Sequence, residues 1–263
     1  MNAKVFFTVF FISLSGKAHP FCGLNSSEGF HADLTRAVVR SSDWMKQFYK
    51  DNTTTKLRPY RAGSMFATLR IAGHYPRTLL TDFKDSEGNS INKTLKNKLN
   101  TVQNLSSIPT PQLGLIIQGV ISICKDPKDF HGYNLIKPLL AGFLKFKTYS
   151  SFNNYFGYSL AVIALCNAGN KVPDFVIEEL VEEANRNVST YHSVDTNALI
   201  STALSCVSTS NRSLQRKVER AVGKFVQTLI SKQKTTTGAF GNNQYSTALA
   251  VEALQAARIR TDS

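Results

Sequence analysis

A chain of 263 residues, 42% hydrophobic and with a formal net charge of +13, is long enough to bury one large core or two small ones. Its basic residues are scattered. The two locally basic stretches, "KPLLAGFLKFK" and "NRSLQRKVERAVGK", alternate with apolar residues at helical spacing, the pattern of solvated helix faces rather than a nucleic-acid footprint.

The N-terminal "MNAKVFFTVFFISLSGKAHP" has a basic Lys4, an apolar run from Val5 to Leu14, and the small residues Ser15, Gly16 and Ala18. This reads as a secretory signal peptide over residues 1–18, too short to remain as a membrane span. No later segment has enough consecutive apolar residues for one, so the expectation is a soluble, secreted, extracellular protein of about 245 residues without membrane insertion. Six N-x-S/T sequons, at Asn25, Asn52, Asn92, Asn104, Asn187 and Asn211, agree with that route and mark candidate glycosylation sites. In an oxidising compartment the four cysteines, Cys22, Cys124, Cys166 and Cys206, read as disulfide partners rather than metal ligands, and no CxxC pair argues otherwise.

Five segments share one design: "AGSMFATLRIAGHY", "PQLGLIIQGVISIC", "YSLAVIALCNAG", "DTNALISTALSCV" and "YSTALAVEALQAA". Each opens on a polar or small residue and continues with Ala, Leu and Ile at helical spacing. They start near residues 62, 111, 158, 195 and 245, and amphipathic stretches such as "VPDFVIEELVEEANRN" and "SLQRKVERAVGKFVQTLISK" lie between them. An apolar helix followed by an amphipathic one, at intervals of roughly 40–50 residues, predicts stacked helical hairpins. Strand signals are few. The fold class expected is all-α, either an open solenoid or a closed α/α toroid. In a toroid the starts of the apolar helices line one mouth, collecting Gln112, the "SFNNYFGY" loop, "YHSVD" and "GNNQYS" at a single rim.

That rim lacks the signatures of catalysis. Asp195 has no evident partner carboxylate for glycoside hydrolysis. The histidines form no HxxxH pair for zinc, and there is no GxSxG, P-loop, GxGxxG or thioester "GCGEQ" run. An amide-rich rim suits hydrogen bonding to a neutral, amide-bearing ligand, because amides do not titrate. Taken alone, "YHSVDTNALI" reads as a helix N-cap before it reads as a site, since Ser, Thr and Asp are favoured caps.

Four blocks in order, "QLGLIIQGVISICKDP", "YFGYSLAVIALC", "HSVDTNALISTALSC" and "GNNQYSTALAVEALQA", resemble the α-domain of the secreted cobalamin carriers: transcobalamin, intrinsic factor and haptocorrin. The resemblance covers most of residues 60–255. It implies an α/α barrel of about six helical hairpins over residues 19–263, and a vitamin B12 binding and transport protein rather than an enzyme, with cobalamin as bound cargo. By position it gives Gln112 a hydrogen bond to the corrinoid. Phe156 stands where the family usually has Tyr, which keeps the apolar contact without the hydroxyl, and Asn153 adds a polar contact from the same loop. Asp195 and Asn243 would bind corrin amides, with Ser246 three residues beyond Asn243 on the same helical face. In the transcobalamins a His three residues before that Asp ligates cobalt. His192 holds this position, which makes the "HSVDT" block transcobalamin-like, and neutral imidazole suits such a centre.

The resemblance also implies a Cys166–Cys206 disulfide. The family continues with a further barrel helix, a linker and a C-terminal β-domain that sandwiches the corrinoid. The chain is therefore expected to lack that domain, either because a separately encoded β-domain completes the site or because the chain is a truncated or incomplete form of a longer protein. A cell-surface receptor is the other candidate partner. Cys22 and Cys124, whose usual partners lie in the missing region, would pair with each other, stay free or bond a second chain. The competing reading is a toroid without corrinoid binding, acting as an interaction module or a glycan-directed enzyme.

Overall fold

Two kinds of helix alternate along the chain, and burial separates them. The computed structural model describes residues 39–41, 43–47, 49–50, 58–71, 84, 87–102, 104–146, 154–186, 193–241 and 244–261. Residues 1–18, Cys22, Asn153, His192 and Asn243 therefore lie outside the described residues.

Among the described residues, five helices form an inner row: α1 (Pro59–Ile71), α3 (Thr110–Ser122), α5 (Asn154–Asn167), α7 (Val194–Cys206) and α9 (Gln244–Thr261). Four others flank it: α2 (Ile91–Asn100), α4 (Ile136–Phe146), α6 (Asp174–Glu183) and α8 (Arg212–Ser231), with a 3₁₀ turn at Leu105–Ser107 before α3. Among the described residues no strand forms; backbone pairing outside helices is limited to isolated bridges such as Gln233 with Phe240. The expected all-α class holds, and no helix of these residues is long and apolar enough to cross a membrane.

The first four inner helices are enclosed along their middles, whereas α9 keeps an exposed face at Val251, Gln255 and Arg258. In α1 every residue from Ala62 to Leu69 is buried, in α3 from Leu113 to Val120, in α5 from Gly157 to Leu165 and in α7 from Thr196 to Leu204. A helix can be enclosed in this way only if small residues let its neighbours approach. At the α1–α3 crossing Gly119 packs directly on the backbone of Gly63, leaving no room for a Cβ on either. The flanking helices bury one stripe each. In α8 the stripe is Leu214, Val218, Ala221, Val222, Phe225 and Leu229, the three- and four-residue spacing that keeps side chains on one face. In α2, whose sequence is mostly polar, Ile91, Leu95 and Leu99 suffice. Each large apolar side chain so buried contributes about 1.5–3 kcal/mol.

Packing follows chain order: α1 against α3, α3 against α5, α5 against α7 and α7 against α9. From α3 onward, neighbours in this row run parallel. From α3 to α5, Pro111 meets Gly157, Gly114 meets Ala161, and Asn167 Nδ2 donates to Gln118 Oε1 at 3.1 Å, so register advances in the same direction on both helices. From α5 to α7, the Cys166–Cys206 disulfide, with Cα atoms 6.1 Å apart, joins their C-terminal ends. The flanking helices return antiparallel: Tyr155 at the start of α5 bonds Glu179 in α6 and Arg186 just beyond it. Cys124 is exposed and outside any disulfide among the described residues.

Candidate functional site

Parallel inner helices put their N-terminal ends at one end of the row, and the described site residues fall there. Gln112 is the third residue of α3, Phe156 the third of α5, Asp195 the second of α7 and Ser246 the third of α9. Asn153, His192 and Asn243 precede α5, α7 and α9 in the chain but lie outside the described residues.

The contact between the α3 and α5 starts depends on a glycine. A Cβ on Gly157 would run into the Pro111 ring, and one on Gly114 would come within 3.3 Å of the Ala161 Cα. This tight seam brings Gln112 and Phe156, both half-buried, onto neighbouring first turns. It also corrects the expected loop at "SFNNYFGY": from Asn154 onward this segment is helix. Gly157 is present for close packing inside the helix, whereas the sequence reading took it as part of a loop. Pro109, the N-cap of α3, makes no side-chain cap hydrogen bond. The first-turn amides there therefore have no side-chain acceptor, the general condition of helix N-termini that favours carbonyl or anionic partners.

At α7 the cap and the site separate. Ser193 is the N-cap, its Oγ accepting from the Thr196 backbone N–H at 3.3 Å. Asp195 is not the cap: its Oδ1 is buried with no hydrogen-bond partner among the described residues. Burying an acceptor without a partner costs about 1–3 kcal/mol, so this atom is a place where a donor from outside the chain would be favoured. Asp195 is also the acidic residue in a first turn of the inner row; α1, α3, α5 and α9 have none there.

The α8–α9 connection closes over the next start. Lys234 donates its backbone N–H to Ala239 O at 2.8 Å, and Gly238 and Gly241 take positive φ, 71° and 67°, to complete the turn. Thr247 Oγ1 accepts from Phe240 N and donates to Phe240 O, both at 3.1 Å, pinning the turn on α9. Gly241 then lies against Ser246 and against Val194 of α7; a Cβ on it would sit 3.1 Å from Ser246 Cβ and 3.7 Å from Val194 Cγ2. Ser246 is thus placed at the α7–α9 seam but is only 6% exposed beneath the turn.

The sequence reading missed a polar network beside Phe156. Tyr155 donates its hydroxyl to Glu179 Oε1 at 2.7 Å and accepts from Arg186 Nη1 at 2.8 Å, and Arg186 also donates to the buried Glu183 at 2.8 Å. Burial, reinforced by the bond to Glu179, holds the Tyr155 hydroxyl well above its ordinary pKa, so it remains a proton donor. The signal was the adjacency of Tyr155 to Phe156, but its partners are 24 and 31 residues away.

A family model described as eukaryotic cobalamin-binding protein matches residues 35–262. Transcobalamin-2 of Homo sapiens is 33% identical over 108 residues, 41% of this chain and 25% of that protein. Transcobalamin-2 of Bos taurus is 39% identical over 105 residues, 38% of this chain and 24% of that protein. Transcobalamin-1 of Homo sapiens is 28% identical over 174 residues, 60% of this chain and 40% of that protein. The matched stretches thus span between 24% and 40% of these relatives' own lengths.

Proposed function

Because the chain belongs to the eukaryotic cobalamin-binding protein family, we propose that it binds cobalamin at the rim formed by the starts of α3, α5, α7 and α9, as a secreted carrier and not as an enzyme. The observation that carries this reading is the buried, unpartnered Oδ1 of Asp195 among helix starts. Corrinoid side chains end in primary amides, whose N–H groups supply the donor this atom lacks. Gln112 can donate to and accept from the same class of group, Phe156 offers an apolar face, and Asn153, Asn243 and Ser246 extend the polar contacts. His192, three residues before Asp195, supplies the imidazole for cobalt in this proposal.

The inner row closes, in the same reading, into an α/α barrel of about six hairpins spanning residues 19–263, after removal of the signal peptide at 1–18. A flat rim covers one face of a corrinoid, and tight capture requires burial of most of the ligand. A separately encoded β-domain or a cell-surface receptor is the partner proposed for the other face.

Titration of the full chain with aquocobalamin tests the proposal. Replacement of cobalt-bound water by imidazole shifts the visible spectrum; His192→Ala is expected to abolish the shift. Asp195→Asn, which exchanges an acceptor-only group for an amide, is expected to weaken binding about 10- to 100-fold, the range for a hydrogen bond to a charged group. The absence of any spectral change with protein in large excess sinks the proposal.

A further inference from the structure

We propose that the chain carries N-linked glycans at Asn104 and Asn211, and that Asn92, in an equally good sequon, stays bare. The inference goes beyond cobalamin binding and shares with it only the secretory route. The three sequons differ in what the fold does with the asparagine. Asn104 is exposed in the connection between α2 and α3, where its Oδ1 accepts from the Ser106 backbone N–H at 2.9 Å. Asn211 is exposed at the N-cap of α8, where its Oδ1 accepts from Ser213 N at 3.1 Å and Leu214 N at 3.2 Å. In both, the oxygen holds the side chain, and among the described residues no group engages Nδ2.

Asn92 is placed differently. It is half-buried in the first turn of α2, and its Oδ1 lies 2.8 Å from Nε2 of His131. That ring packs edge-on against the buried Phe130, with centroids 4.7 Å apart. The third residue of its sequon, Thr94, is itself buried at 3% exposure. A sugar on Asn92 would have to leave from a side chain held against this corner, whereas the other two side chains stand in solvent.

The chemistry spares the caps. The Asn amide nitrogen attacks the anomeric carbon of an oligosaccharide carried on a lipid pyrophosphate. The new C–N bond forms as the C–O bond to pyrophosphate breaks, the lipid pyrophosphate leaves with the bonding electrons, and the nitrogen loses one proton to base. Oδ1 is unchanged, so Asn211 continues to cap α8 with the sugar attached, and a cap of this kind is worth about 1 kcal/mol. The position also spares the rim. Asn211 lies five residues beyond the C-terminal end of α7, a helix of 13 residues about 18–20 Å long at 1.5 Å per residue, so it belongs to the end opposite Asp195.

The full chain, secreted from cultured animal cells behind a heterologous leader, is treated with peptide N-glycosidase in heavy-oxygen water and mapped by mass spectrometry. The expected result is conversion to labelled Asp at Asn104 and Asn211 and unlabelled Asn at Asn92. Asn104→Asp and Asn211→Asp, which keep the capping oxygen, should each remove one glycan's mass, Asn92→Asp none, and Ser213→Ala should strip the sugar while retaining the cap. Label at Asn92, or its absence at either Asn104 or Asn211 in secreted protein, overturns the inference. Because the leader is heterologous, that failure says nothing against the cobalamin reading, which the aquocobalamin titration addresses separately.

Discussion

The two ends of the inner row treat their polar groups in opposite ways. At the C-terminal end most are committed: Cys166 is bonded to Cys206, Asn167 Nδ2 donates to Gln118 Oε1, and Thr209 donates to Asp174 at 3.1 Å across to α6, while Gln118 Nε2 is buried there without a hydrogen-bond partner among the described residues. At the N-terminal end, Asp195 Oδ1 is buried without a hydrogen-bond partner among the described residues, and Gln112 is half-buried. An uncommitted polar group costs stability, and here that cost is carried where four helix starts converge. The difference teaches that one end of the row holds the array together while the other is left available. The buried hydroxyls of Ser159 and Ser201, also without hydrogen-bond partners among the described residues, extend this polar character inward from the available end.

Cutting the committed end should have the largest effect. Replacing Cys166 and Cys206 by Ser opens a link across a sequence separation of 40 and is expected to remove about 2–4 kcal/mol. The loss is read as a lower denaturation midpoint, with the aquocobalamin response retained in the protein that remains folded. An unchanged midpoint would mean the disulfide does not stabilise this end.

A wedge at the available end comes next. Gly157→Val drives a side chain into Pro111 and is expected to cost about 1–3 kcal/mol. By parting the starts of α3 and α5 it should also weaken cobalamin binding, unlike the cysteine variant. A neutral Gly157→Val would contradict the parallel register of these two helices.

A smaller pair of variants separates cap from site at α7. Ser193→Ala should cost about 1 kcal/mol of stability. Asp195→Asn should leave thermal stability unchanged or raise it, because it replaces a buried acceptor that has no partner. If Asp195→Asn destabilises as Ser193→Ala does, Asp195 is structural.

The smallest effect lies in the connection between α3 and α4. His131 titrates below its ordinary value of 6.5, first because of burial and then because Lys96 and Lys125 disfavour its cation. The unfolded chain therefore takes up this proton at higher pH than the folded one. The contribution is present above pH 6.5 and is lost as pH falls below it toward the folded-state value. His131→Gln should flatten the dependence of Tm on pH between about 7.5 and 5.5; an identical slope in both proteins would refute the assignment.

Helix starts were legible to within a few residues: near 62, 111, 158, 195 and 245 by sequence, against Pro59, Thr110, Asn154, Val194 and Gln244. The worst placed is α5, where two aromatics, two asparagines and a glycine imitate a loop. Gly157 is tolerated inside the helix because Pro111 of a neighbour occupies the space a Cβ would need. At α7 the run "SVDT" offered three capping residues, and only packing chose Ser193. The tyrosine network eluded sequence reading for a related reason: Tyr155, Glu179 and Arg186 meet only because α6 returns antiparallel beside α5.

By itself the sequence determined which segments become helices and which of them are enclosed, because the spacing of apolar and small residues is a local property. It also carried the blocks that identify the family and the cysteines that pair. Tertiary structure alone decided which polar groups are committed and which remain available. Whether Asp195 has a hydrogen-bond donor, or whether the amides of Asn104, Asn211 and Asn92 are clear of neighbours, depends on residues distant in the chain, and packing brings those together.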